Sequence, residues 1–197
     1  MERFLAFSIG RMQFLDSFQF ASESLEKLAA SLTDEDLILM RKEFPDQEQF
    51  ELMRKKGVFP YDMLTDIDVI TNDNVIPFPS KDKFFNKLKD EAVKDADWEH
   101  GKEVFEKYCL SRTFGEYHDI YLRVDVLLLA DFFEKYRKMC MANYGLEPLH
   151  YFTAPGMAWD SALKMTDVVL ELITAEDQYL FLEVCGNYKF EGVYREC

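Results

Sequence analysis

The sequence predicts a helix-rich α+β fold, and three features carry that expectation. Short apolar runs at Phe4 to Ser8 and Met12 to Leu15 flank Ile9-Gly10-Arg11, the pattern of a β-hairpin. Beyond them the apolar period lengthens to that of helices. One stretch, Phe114 to Tyr144, is far longer than the rest, with Thr113 before it as a cap and Gly145 and Pro148 after it as stops.

Taken in order, the hairpin is followed by a helical stripe at Leu25, Leu28, Ala29 and Leu32, for which Ser22 is the candidate N-cap. Thr33, with Asp34, Glu35 and Asp36 after it, reads as the start of a second helix carrying Leu37, Met40 and Arg41. A third runs from Asp46 through Phe50 and Met53 and stops at Gly57. From Gly57 to Pro79 three prolines and few periodic apolar positions predict a long irregular connection, of the kind that tends to carry function. Ser80 opens a helix with Phe84, Phe85 and Leu88, and Asp95 another with Trp98, Val104, Phe105 and Tyr108. After the long helix, two shorter ones are expected near Met157 to Met165 and Ala175 to Cys185. A hairpin by itself is a poor sheet, so its strands call for partners before Met1.

At 197 residues, 48% of them hydrophobic, the chain suits one domain or a large part of one, with enough apolar matter for a core. No apolar run approaches the ~18 residues of a membrane span, and the start lacks a secretory leader; the expectation is a soluble, intracellular chain without a membrane partner. Cysteines 109, 140, 185 and 197 are scattered, which favours reduced thiols over disulfides or a zinc site. A net charge of -14 argues against nonspecific nucleic-acid binding, although Arg54-Lys55-Lys56, Lys81 to Lys89 and Lys135 to Lys138 are local basic patches.

The chemistry concentrates in Tyr121-Leu-Arg-Val-Asp125, which runs into the apolar segment Val126 to Phe133. Tyr117, Tyr121 and Asp125 fall at i, i+4 and i+8, along one side of a helix, so a phenol and a carboxylate can meet one site. A carboxylate in apolar surroundings calls for something to bind its charge, and a divalent metal ion is one such group. Two-metal phosphodiester hydrolysis uses carboxylates to hold ions roughly 4 Å apart, with a phenol or lysine beside them. Spacing alone favours Asp125 as a capping or hydrogen-bonded structural acid. His118 and Asp119 are neighbours on a helix and are expected to point apart; the three histidines show no ligand spacing.

Tyr-Leu-Arg-Val-Asp followed by Val-Leu-Leu-Leu-Ala-Asp131 resembles the third exonuclease signature, Tyr-x-x-x-Asp, of family B DNA polymerases of the protein-primed type found in viruses, organellar plasmids and large DNA transposons. Arg54-Lys-Lys-Gly-Val-Phe-Pro-Tyr-Asp62, Gly115-Glu-Tyr-His-Asp-Ile-Tyr121, Tyr144-Gly-Leu-Glu-Pro148 and Tyr151-Phe-Thr-Ala-Pro-Gly-Met-Ala-Trp-Asp160 are similar to that family as well, and the likeness runs from about Phe4 to Phe181. The resemblance implies that Asp125 ligates a metal, Mg²⁺ or Mn²⁺, of a 3'-5' exonuclease site and that Tyr121 positions the attacking water. Lys56 would match the lysine that assists proofreading. Ser17 and Phe18 would match the element holding the single-stranded 3' end of DNA, with Phe18 where leucine is usual; a phenylalanine can stack on a base. On the residues alone, Ser17 is equally a turn cap, Phe18 core and Lys56 a solvated charge.

The resemblance further implies a partial ribonuclease-H-like exonuclease domain over residues 1–145 and, over 146–197, a helical connection leading toward a polymerase palm. The first two exonuclease signatures are not found, nor is a palm carboxylate pair. The expectation is therefore a piece of a DNA-directed DNA polymerase, its parent carrying out DNA replication with proofreading and possessing a terminal protein primer as partner, that is inactive alone. The alternative is a non-catalytic helical interaction protein domesticated from a mobile-element polymerase.

Overall fold

A computed structural model describes residues 6–71, 74–87, 90–170 and 174–187. It forms two compact units, Met1–Met157 and Ala158–Cys197. The expected helix-rich α+β character holds: strands β1 (Ala6–Ile9) and β2 (Met12–Leu15) make a two-stranded antiparallel sheet, and helices account for most of the rest. Ala6 pairs with Leu15 and Ile9 with Met12, leaving Gly10 and Arg11 as the turn. Gly10 sits at φ +61°, a left-handed conformation that costs glycine little. The Phe7 and Phe14 rings stack across the strands at 4.7 Å.

Helix α6 (Phe114–Tyr144) is the axis of the first unit, about 46 Å long at 1.5 Å per residue. Both ends are written in the sequence. The Thr113 hydroxyl accepts from Glu116 N at 3.2 Å, and the Glu116 carboxylate in turn accepts from Leu110 N and Ser111 N, satisfying donors of the approach loop. At the far end Gly145 takes φ +61° and its N–H returns to the Met141 carbonyl. Arg137 grips Glu147 through Nε and Nη2, at 2.9 and 2.8 Å, so the chain leaving the helix is tied back to it.

Around this axis pack α1 (Leu25–Ala30), α2 (Ile38–Glu43) and α4 (Asp68–Thr71), with α3 (Gln47–Met53) between α2 and α5 (Asp95–Tyr108). Their shared core includes Leu37, Met40, Phe50, Phe105, Val124 and Leu128, all buried. Close approach explains two glycines. A Cβ on Gly115 would lie 2.1 Å from the Ile70 carbonyl oxygen, and one on Gly101 2.9 Å from the Tyr117 hydroxyl. No described helix is long and apolar enough to cross a membrane. The second unit contains the end of α7 (Ala154–Thr166) and α8 (Glu176–Asn187). On α8 Tyr179, Phe181 and Val184 are exposed.

Several expectations need correction. Ser24, not Ser22, caps α1, because its hydroxyl is the one in reach of Lys27 N. Thr33 opens a turn rather than a helix: the Asp36 carboxylate binds back to Thr33 N and Oγ1, closing a local ring, and α2 starts only at Ile38. The helix expected from Ser80 is a 3-10 turn, Lys81–Phe84, followed by an antiparallel bridge between Asn86 and Glu91; Leu88 lies outside the described residues, as does Phe4 of the hairpin. Part of the apolar segment expected from Val126 to Phe133 is not core, since Val126 is exposed.

The start of α2 has no side-chain cap of its own. Asp131, from the middle of α6, supplies one: its two oxygens accept from Leu39 N at 2.9 Å and Met40 N at 3.0 Å, and the side chain is almost wholly buried. A carboxylate at a helix N-terminus meets both unsatisfied N–H groups and the positive end of the dipole. Asp36 reinforces the same junction through Lys135, whose ammonium also donates to the Ser31 carbonyl. Those contacts, the Lys135 hydrogen bond foremost, lower the Asp36 carboxyl to about 2.

Two outcomes follow. Asp131→Ala strands two buried N–H groups and is expected to lower unfolding free energy by about 2–4 kcal/mol in urea titration, with Asp131→Asn losing less. Asp36 has its pKa lowered on folding, so its stabilisation is complete above the ordinary value of 3.8 and is lost as pH falls toward about 2. Melting followed between those limits should fall more steeply for wild type than for Asp36→Asn.

Candidate active site

The strap Lys55 to Asp62 crosses the face of α6 that carries Tyr117, Tyr121 and Asp125. Ring contacts of Phe59 and a hydroxyl-to-carbonyl hydrogen bond seat it. The Tyr117 hydroxyl donates to the Val58 carbonyl at 2.6 Å, and Phe59 packs its ring on Tyr117 and Tyr121, with centroids 6.1 and 5.0 Å away. His118 meets Phe59 edge-on at 5.6 Å. Gly57 lets the strap pass close to Tyr121, whose ring a Cβ there would touch at 3.4 Å. Pro60 is fully buried and fixes the turn that follows.

This seating brings Lys56 down onto the helix. Its ammonium donates to the Tyr121 hydroxyl and to Asp125 Oδ2, each at 3.0 Å, and lies 5.2 Å from the Tyr121 ring centroid. Lys56, Tyr121 and Asp125, singled out separately in the sequence, therefore meet at one point. The other oxygen, Asp125 Oδ1, is buried with no hydrogen-bond partner. Burial is the main cause that pushes the Tyr121 phenol far above its ordinary range, helped by the Tyr61 hydrogen bond and the Asp125 charge. Tyr121 thus stays a neutral phenol, able to orient a water and unable to serve as a base near neutral pH.

Tyr61 is a member that the sequence reading passed over. Its hydroxyl is 2.7 Å from that of Tyr121, either oxygen being the donor, and its exposed ring stands edge-on to Tyr121. The available signal was its place five residues after Lys56, beyond a proline. Ser17 and Phe18 are not among the residues lining the cleft at this site. They lie in a 3-10 turn, Ser17–Gln19, capped by Asp16; Phe18 is exposed, and Phe20 just beyond meets Phe133 of α6 edge-on at 5.7 Å. That contact is two turns past Asp125. His118 Nδ1 and Asp119 do touch, at 3.1 Å, against expectation; Asp119 is largely exposed and reaches back along the surface.

A metal fits this donor set poorly. The bare Oδ1 of Asp125 offers a hard cation one oxygen, but no group of three His, Cys, Asp or Glu able to hold an ion occurs among the described residues. Here the charge of Asp125 is met by Lys56 instead. Both side chains are about three-quarters shielded, at 26% and 21% exposure, so removing one partner strands the other. Lys56→Met should lower unfolding free energy by about 1–3 kcal/mol, and Lys56→Met with Asp125→Asn should recover part of it in a double-mutant cycle.

No curated protein and no solved structure matches the chain. Over residues 4–167 the sequence matches the family described as DNA polymerase type B, organellar and viral, a match that stops short of Phe181 but takes in the hairpin, the strap and all of α6. The chain belongs to the organellar and viral type B DNA polymerases.

Proposed function

We propose that this chain carries the lysine, tyrosine and aspartate corner of a 3'-5' exonuclease site, within a ribonuclease-H-like domain spanning residues 1–145 and followed by a helical connection toward a palm. The observation that supports it most is the Lys56 ammonium bound at once to Tyr121 and Asp125. In the whole enzyme the activity is DNA-templated nucleotidyl transfer with proofreading of a single-stranded 3' end, and the primer is a terminal protein. Mg²⁺ or Mn²⁺ supplies the Lewis acidity for such hydrolysis. Tyr121 and Tyr61 orient hydroxyl groups toward the substrate, Lys56 holds Asp125 in place, and Phe18 offers an exposed ring to a base.

Alone, the chain is proposed to be inactive, because one carboxylate does not hold two ions. The second reading, a non-catalytic interaction protein, draws support from the same ion pair: an acid already neutralised by lysine keeps the fold without metal. Purified chain incubated with single-stranded DNA and Mg²⁺ or Mn²⁺ should release no nucleotides. Metal-dependent digestion that disappears in Asp125→Ala would sink the proposal of inactivity. Adding back the activity by mixing with a polymerase segment that bears further carboxylates favours the exonuclease reading over the interaction protein.

A further inference from the structure

Beside the Lys56 cluster lies a cleft of about 490 Å³, within the size range of ligand sites. Lys56, Tyr61 and Tyr121 line one part of it, and Phe84 to Lys87 with Glu91 to Lys94 another. Two ion pairs join the strap to this second segment and to the start of α5, Lys87 with Asp62 at 2.9 Å and Lys55 with Asp97 at 2.7 Å. The cleft therefore has two walls from separate parts of the chain.

The second wall is built with its aromatic group outward. Phe84 is buried against Phe78, with ring centroids 5.4 Å apart, whereas Phe85 is 40% exposed. The switch occurs because the 3-10 turn ends at Phe85, which takes extended geometry, and the chain then closes through Asn86 N to Glu91 O and Glu91 N to Asn86 O at 2.9 and 3.3 Å. Lys94 stands at the entry of α5, which is anchored by the Trp98 indole N–H donating to the Pro79 carbonyl at 3.1 Å. Of the lysines on the lining, Lys55, Lys56 and Lys87 have carboxylate partners. Lys94 is exposed and makes no ion pair among the described residues, in a chain of net charge -14. A lysine left without a carboxylate, on the same cleft lining as an outward ring, is the combination that single-stranded nucleic acid uses.

We propose that Phe85 and Lys94 form the second wall of the substrate cleft, Phe85 stacking on a base and Lys94 meeting a phosphate of the single-stranded DNA end whose terminus approaches Tyr61 and Tyr121. This rests on the exonuclease reading above and assigns to it a binding surface outside the signature residues. Glu26 and Glu91 also reach the lining, so the surface is mixed in charge and the binding is salt-sensitive.

The test is anisotropy of fluorescein-labelled octathymidylate with the full chain in chelator, at low and raised salt. Phe85→Ala is expected to weaken binding about 5- to 100-fold, the effect of one stacked base, and the difference should vanish with an abasic octamer of the same phosphate count. Lys94→Gln should weaken binding and reduce the slope of log affinity against log salt by about 0.7, one phosphate contact on a single strand. Both side chains are exposed, and far-UV circular dichroism should match wild type. If Tyr61→Ala weakens binding while Phe85→Ala and Lys94→Gln do not, the second wall is overturned and the exonuclease reading stands. If wild type does not bind the octamer, both fall.

Discussion

A carboxylate removed from water must find a partner, and α6 carries two such carboxylates, Asp125 and Asp131, inside its most apolar stretch. Each is met from far away in sequence. Asp131 receives the two N–H groups that open α2, and Asp125 receives the Lys56 ammonium from the strap. The helix thus fixes where α2 begins and how the strap crosses its surface. Packing of Leu37, Met40 and Phe59 then fills the space those polar contacts define.

The two acids differ in completeness. Both oxygens of Asp131 are occupied, which suits a structural role with no spare valence. Asp125 uses one oxygen and leaves the other bare in a buried position. An unsatisfied buried oxygen is costly. The neutral phenol of Tyr121 beside it completes a corner able to orient a water without taking its proton.

Charge makes the cleft distinctive. Against an acidic whole, Lys55, Lys56, Lys87 and Lys94 share one concave surface with Glu26, Asp62, Glu91 and Asp97 and with exposed aromatic rings, so the lysines balance the acids there. Net charge describes long-range attraction and is screened beyond roughly 8–10 Å at ordinary salt, so the local balance of charges on the lining decides what the cleft attracts. The hairpin contrasts with it: Phe7, Ile9, Met12 and Phe14 all lie open.

Much of the local structure was legible in sequence. The hairpin turn, the Thr113 cap, the Gly145 stop and the alignment of Tyr117, Tyr121 and Asp125 depend on neighbours a few residues apart, where backbone geometry and side-chain periodicity decide. Sequence motifs also identified Lys56 and placed the chain in its family. What periodicity could not reveal was contact between distant segments. Ser22 and Ser24 are equivalent as caps until a hydroxyl is placed; Thr33 looked like a helix start because the Asp36 ring that closes it competes locally with the helix. The partner of Asp131, the hydrogen bond between Tyr61 and Tyr121, and the joining of Lys56 to Asp125 span from 60 to 92 residues. Only the tertiary fold decides those, because burial and charge neutralisation act between groups that packing brings together, whatever their separation along the chain.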